Sequence, residues 1–128
     1  GNVYFTEYGN NQVSMYTAAG VYSVIAGNTT AGNTDGKGSA ARFYFPSGIV
    51  RDASGNLFVT DMFNNRIRKI TPAGVVTTIA GNTAGSMDGM GTAAGFDTPI
   101  GICGDFANNA VYITDFSSAR IRKMLTAD

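Results

Sequence analysis

Six of the nine basic residues fall in two copies of one tetrapeptide, Arg66-Ile67-Arg68-Lys69 and Arg120-Ile121-Arg122-Lys123. Guanidinium forks suit phosphate, so two such strands side by side would form one positive stripe able to meet a nucleic-acid backbone. Arg66, Arg68, Lys69, Arg120, Arg122 and Lys123 are therefore the candidate partner-binding residues. Three observations weigh against phosphate. The nine cations are matched by nine acids, for a formal net charge of zero. An aspartate stands five residues before each tetrapeptide, and the corresponding place near the N-terminus holds Gln12, Ser14 and Met15. A solvated or acid-paired strand is the expectation, and nucleic acid is not an expected partner.

Other constellations are weighed in the same way. Glu7, Asp61 and Asp115 each follow a threonine and could be drawn as a ring of carboxylates around a metal. Identical ligands recurring at one strand end point instead to acceptors for backbone N–H groups in the following turn, or to ion pairs with Arg66 and Arg120. Gly36-Lys37-Gly38-Ser39-Ala40-Ala41 and Gly89-Met90-Gly91-Thr92-Ala93-Ala94 satisfy a loose dinucleotide pattern. Neither opens a helix after a strand in a βαβ unit, so both read as loops whose Asp35 or Asp88 starts a turn, with Phe43 or Phe96 as a plug into the core. Asn33, Asp35 and Gly36 touch the EF-hand pattern, but Ala31 and Arg42 stand where its first acid and its bidentate glutamate belong. Histidine is absent, which excludes imidazole acid–base catalysis, His-activated nucleophiles and imidazole-ligated zinc within this chain. The single Cys103 cannot form an intrachain disulfide and, within Ile100-Gly101-Ile102-Cys103, reads as a small buried hydrophobe. No catalytic residue, metal ligand or cofactor is expected.

The elements that would position these residues come from an internal repeat. Gly1-Asn2-Val3-Tyr4-Phe5-Thr6-Glu7 returns as Gly55-Asn56-Leu57-Phe58-Val59-Thr60-Asp61 and as Asn109-Ala110-Val111-Tyr112-Ile113-Thr114-Asp115, at a spacing of 54 residues each time. The spacing becomes 53 in the long loop, and an insertion near Asn108 restores it. Within one unit, residues 48–52, 57–61, 66–71 and 75–80 are rich in β-branched and aromatic side chains and are bounded by Gly, Asn and Pro turns, which predicts four short antiparallel strands. The run 57–59 is apolar without alternation, as in a strand covered on both faces. Four-stranded units at this period read as β-propeller blades, so the fold class is all-β. The expected divisions are a partial blade plus interblade loop over 1–46, a complete blade plus loop over 47–98, and a partial blade over 99–128.

The residues Gly55 to Asp61 followed by Asn64-Asn65-Arg66-Ile67-Arg68-Lys69-Ile70 resemble the NHL repeat, and Asn109 to Lys123 resembles it with Ser118-Ala119 in place of the Asn pair. The resemblance covers essentially the whole chain. It implies a propeller, commonly six-bladed, used as a recognition scaffold; some members bind RNA through a positive face, and similar propellers host lyases and lactonases whose sites lean on His or mixed metal ligands. Ten strands cannot close a ring. The expectation is an incomplete propeller, a noncatalytic scaffold for protein contact or self-assembly, with further blades from a longer chain or from other copies as partners. A propeller enzyme with its site in missing blades and RNA binding through the Arg/Lys stripe are the alternatives. The start within Val3-Tyr4-Phe5 without a methionine suggests a piece of something longer. Few charges (14%) with abundant Asn, Gly and Thr, and a sequon at Asn28-Thr29-Thr30, suit an extracellular or cell-surface setting.

Overall fold

The computed structural model describes residues 1–81 and 95–126. They form eleven strands: β1 (Val3–Glu7), β2 (Gln12–Tyr16), β3 (Tyr22–Gly27), β4 (Gly36–Lys37), β5 (Pro46–Arg51), β6 (Leu57–Asp61), β7 (Arg66–Ile70), β8 (Val75–Ala80), β9 (Pro99–Asp105), β10 (Ala110–Asp115) and β11 (Arg120–Leu125). Three antiparallel sheets result, ordered β1-β2-β3, β4-β8-β7-β6-β5 and β11-β10-β9, here called blades 1, 2 and 3. The chain is all-β and an incomplete propeller. The strand beyond the ten expected is β4, two residues of the long loop paired with Val75 and Val76. It covers part of the edge that β8 would otherwise leave open. The second glycine-rich segment, Gly89 to Ala94, lies outside the described residues.

The hairpins follow from local chemistry. After β1, β6 and β9 the chain makes one 3-10 turn and leaves it through a left-handed asparagine, Asn11, Asn65 or Asn109, at φ 56°, 55° and 52°. Asparagine tolerates that region better than most L-residues. Between β5 and β6, Asp52 accepts the Ser54 and Asn56 N–H groups at 3.0 and 2.9 Å and closes the turn.

The core lies between the sheets. Val13, Ala26 and Phe43 pack with Leu57, Val59, Ile70 and Val76 where blade 1 meets blade 2. Ile67, Ala80 and Phe96 pack with Val111 and Ile113 where blade 2 meets blade 3. Side chains alternate across a strand, so β6 sends Leu57 and Val59 to one junction and Phe58 and Thr60 to the other, and all of β6 is buried. Each buried large aliphatic or aromatic group contributes about 1.5–3 kcal/mol. These side chains are sheltered by sheet stacked on sheet.

Candidate functional site

At each described junction an acid, an arginine and a phenylalanine assemble in the same way. Arg68 is 0% exposed and donates through Nη1 to Asp61 Oδ2 at 2.7 Å and to the Arg42 carbonyl at 2.8 Å. Through Nη2 it reaches the Thr34 carbonyl at 3.0 Å and Asp35 at 2.9 Å. Its guanidinium lies 5.0 Å from the Phe43 ring centroid. Arg122, 7% exposed, repeats this with Asp115 at 3.1 Å, the Gly95 carbonyl at 2.8 Å and the Phe96 ring at 4.9 Å.

The acids complete the fastening. Asp61 accepts the Tyr44 N–H at 2.8 Å and the Asn64 amide at 2.7 Å, and Asp115 accepts the Asp97 N–H and the Ser118 hydroxyl, both at 2.7 Å. Burial pushes the Asp61 carboxyl above its ordinary range, while the Asn64 amide, the Tyr44 N–H and the Arg68 guanidinium pull it back. In blade 1 the arginine is replaced: Glu7 takes the Tyr22 hydroxyl at 2.6 Å and the Gln12 amide at 2.7 Å. The Tyr22 hydroxyl is the main cause that holds Glu7 below the usual carboxylate value, against some desolvation.

Four sequence expectations are corrected here. The six basic residues do not form one stripe: Arg68 and Arg122 are buried against the preceding loop and blade, Arg66 bonds the Asn33 carbonyl at 3.3 Å, Lys69 lines the cleft beside Asp52 on the opposite face, and Arg120 and Lys123 are exposed on blade 3. Period-two alternation splits the tetrapeptide between two faces. The ion partners of Asp61 and Asp115 are Arg68 and Arg122, not Arg66 and Arg120. Although Arg66 and Arg120 stand directly opposite the acids in register, the diagonal arginine two residues on reaches them. The backbone N–H groups these acids accept belong to the preceding loop, not the following turn. Cys103, expected inside, is exposed. It alternates with the inward Ile102 and sits beside Tyr112 on the outer face of blade 3.

A second set of contacts, invisible as a motif, ties blade to blade. Thr6 donates to the Ser47 carbonyl at 3.1 Å, and Thr60 to the Ile100 carbonyl at 2.7 Å. The Asn11 carboxamide oxygen accepts the Phe45 N–H, and that of Asn65 the Thr98 N–H, both at 2.9 Å. The recurrence of Thr and Asn at 54-residue spacing was the available signal. At the outer ends these devices have no described counterpart. Ile121 is 76%, Phe116 69% and Leu125 59% exposed on blade 3, whereas Ile67, at the position of Ile121, is 0% exposed. Val3 and Tyr22 are exposed on blade 1 where their repeat equivalents Leu57 and Val76 are buried.

No family model matches the chain. The cattle NHL repeat-containing protein 2 is 30% identical over 95 residues, 71% of this chain and 13% of that protein. A structural genomics protein of unknown function from Bacteroides thetaiotaomicron superposes with a TM-score of 0.87 at 30% identity, over 95% of this chain and 32% of that one. This chain belongs to the NHL-repeat propellers. An auxiliary nutrient binding protein from Bacteroides ovatus is similar to this NHL segment at 26% identity and a TM-score of 0.82, over 94% of this chain and 33% of its own. Enzymes share the fold as well. A virginiamycin B lyase from Staphylococcus aureus, at 23% identity and a TM-score of 0.54 over 96% and 37% of the two chains, bears on fold alone. The NHL segment spans about a tenth of the length of the curated relatives it matches and about a third of these propellers.

Proposed function

We propose that this NHL segment is a noncatalytic recognition and assembly scaffold: its outer blade faces dock further blades, from a longer chain or from other copies, and the resulting propeller offers a rigid surface to a protein partner. The observation that carries this reading is the contrast between Ile121, 76% exposed, and its repeat equivalent Ile67, 0% exposed at an occupied junction. An apolar sheet face of that kind seeks cover, and burying Ile121, Phe116 and Leu125 would each contribute about 1.5–3 kcal/mol.

The commitment of the acids supports a noncatalytic role. Asp61 and Asp115 spend their oxygens on loop N–H groups and arginines, and the chain contains no histidine to serve as base or ligand. RNA binding loses its anchors, because Arg68 and Arg122 are buried. No helix among the described residues is long and apolar enough to cross a membrane. The low charge and high Asn, Gly and Thr content favour an extracellular or cell-surface setting.

Light scattering on the purified chain, with intact mass measured in parallel, tests the reading. Self-association at high micromolar concentration, abolished by Ile121→Lys, is the expected result. A monodisperse monomer whose behaviour Ile121→Lys leaves unchanged would refute it.

A further inference from the structure

Four aromatic side chains meet where blade 1 joins blade 2, at the end where β1 and β6 finish and β5 begins. Tyr8 and Phe63 belong to the 3-10 turns that follow β1 and β6, and Tyr44 and Phe45 to the loop that enters β5. The ring centroids lie 4.8 Å apart between Tyr8 and Phe45, 4.8 Å between Phe45 and Phe63, and 5.1 Å between Phe63 and Tyr44, with interplanar angles of 37°, 30° and 79°. Although packed on one another, Tyr8 is 59%, Phe63 47% and Tyr44 45% exposed.

The fold does not require these rings. The second junction has the same backbone frame: Met62 and Phe63 donate to the Phe45 and Tyr44 carbonyls, as Phe116 and Ser117 do to those of Thr98 and Asp97. There the places of Tyr44, Phe45 and Phe63 hold Asp97, Thr98 and Ser117. Phe45 and Thr98 are both left-handed, at φ 58° and 60°, a conformation that disfavours a bulky side chain. A half-buried phenylalanine kept at such a position is explained by what its ring touches, not by the turn. An exposed aromatic cluster of this kind marks an interaction site.

The chemistry of the occupant follows from what the cluster has left to offer. Tyr44 and Phe45 give their N–H groups to Asp61 and Asn11, and their carbonyls already take the Phe63 and Met62 N–H groups. The flanking amides are turned inward, Asn10 to Glu7 and Asn64 to Gly32 and Asp61. Arg42, the adjoining cation, is bonded to the Ser39 and Ala41 carbonyls, which disfavours a phosphate backbone as ligand. What faces outward is a row of ring edges with apolar furrows between them, and the Tyr8 and Tyr44 hydroxyls, which have no partner among the described residues. A sugar chain fits this poorly, because Phe45 and Phe63 turn a face to each other and the polar side chains around them are already bonded.

We infer that Tyr8, Phe45, Phe63 and Tyr44 form a docking ridge for an extended, proline-rich segment of a protein partner. Each proline presents a carbonyl but no N–H, and the polyproline II helix leaves its carbonyls unpaired. The furrows take the pyrrolidine rings and the tyrosine hydroxyls donate to the carbonyls, a recognition mode that uses aromatic side chains and a ligand already ordered before binding. The inference rests on the reading that this segment offers a rigid surface to a protein, and names the surface and the partner's chemistry.

The test is fluorescence anisotropy with a labelled decaproline, titrated with the whole chain. Decaproline binds, and a glycine-serine peptide of equal length does not. Phe45→Thr/Phe63→Ser, which installs the residues the second junction carries in the same frame, weakens binding about tenfold or more. Tyr44→Phe keeps the ring, removes the donor and weakens binding about two- to tenfold. Tyr16→Ser, at the far end of blade 1, leaves it unchanged. Equal affinity of the wild-type and Phe45→Thr/Phe63→Ser chains, or no binding of decaproline, would overturn the inference, as would binding of a cello-oligosaccharide in its place. Light scattering on the same chains keeps blade docking separate: self-association that persists without decaproline binding leaves that reading standing, whereas a monomer that also ignores the peptide removes both.

Discussion

Replacing Arg68 with methionine isolates the buried pair that fastens the long loop to blade 2. Methionine keeps most of the side chain's reach but removes the donors to Asp61 at 2.7 Å, Asp35 at 2.9 Å, and the Arg42 and Thr34 carbonyls at 2.8 and 3.0 Å. Asp61 stays buried, with only the Tyr44 N–H and the Asn64 amide as described donors. Breaking a buried pair from one side costs about 3–5 kcal/mol. With a urea slope of about 1–3 kcal/mol/M, the unfolding midpoint should fall by roughly 1–5 M at unchanged slope. The deficit should shrink as the pH is lowered, because an Asp61 without its cation is protonated more readily in the folded state than in the unfolded one. Lys69→Met, one residue along the same strand but beside the cleft next to Asp52, should stay within about 0.5 kcal/mol. Equal midpoints for the two variants by circular dichroism would refute the clamp.

Thr60→Val preserves shape but strands the Gly48 N–H, bonded at 2.7 Å, and leaves the Ile100 carbonyl to the Ser47 hydroxyl at 2.9 Å, so it should cost about 1–3 kcal/mol in the same urea assay. Because the Tyr22 hydroxyl depresses the folded-state Glu7 value, the stabilisation from this carboxylate is complete above its unfolded value and lost as pH falls through the folded one. Tyr22→Phe should therefore flatten the acid limb of the stability curve, and an unchanged limb would count against the bond. The exposed Cys103 should be alkylated by iodoacetamide in the native chain at a rate close to that in urea, and should become protected when a blade covers its face. A native thiol protected in the dilute monomer would place it inside.

Much of the architecture was legible because the signals repeat. Runs of three apolar residues, Thr and an acid at 54-residue spacing locate β1, β6 and β10, and the unbroken apolar stretch Leu57–Val59 announces a strand covered on both sides, as β6 is. The plug role expected for Phe43 and Phe96 also holds, since a lone aromatic after a glycine- and alanine-rich loop has few other places to bury its ring. The site was less legible. Arg66 and Arg68 have the same chemistry, lie on the same face and both reach the preceding loop, yet only Arg68 is fully buried there and paired with Asp61. Cys103 stands in an apolar run that reads as interior, but it lies on the face of blade 3 that no described blade covers.

The sequence alone determined the repeat, the strands, the turn residues and the absence of imidazole chemistry, because each follows from side-chain type and spacing within a few residues. Only the tertiary structure decided what the charged residues do. An arginine at a given strand position becomes a surface contact or a buried clamp according to how the loop 26 to 34 residues before it folds back across the strand. That choice depends on how sheets stack, and a linear pattern carries no record of the distance between them.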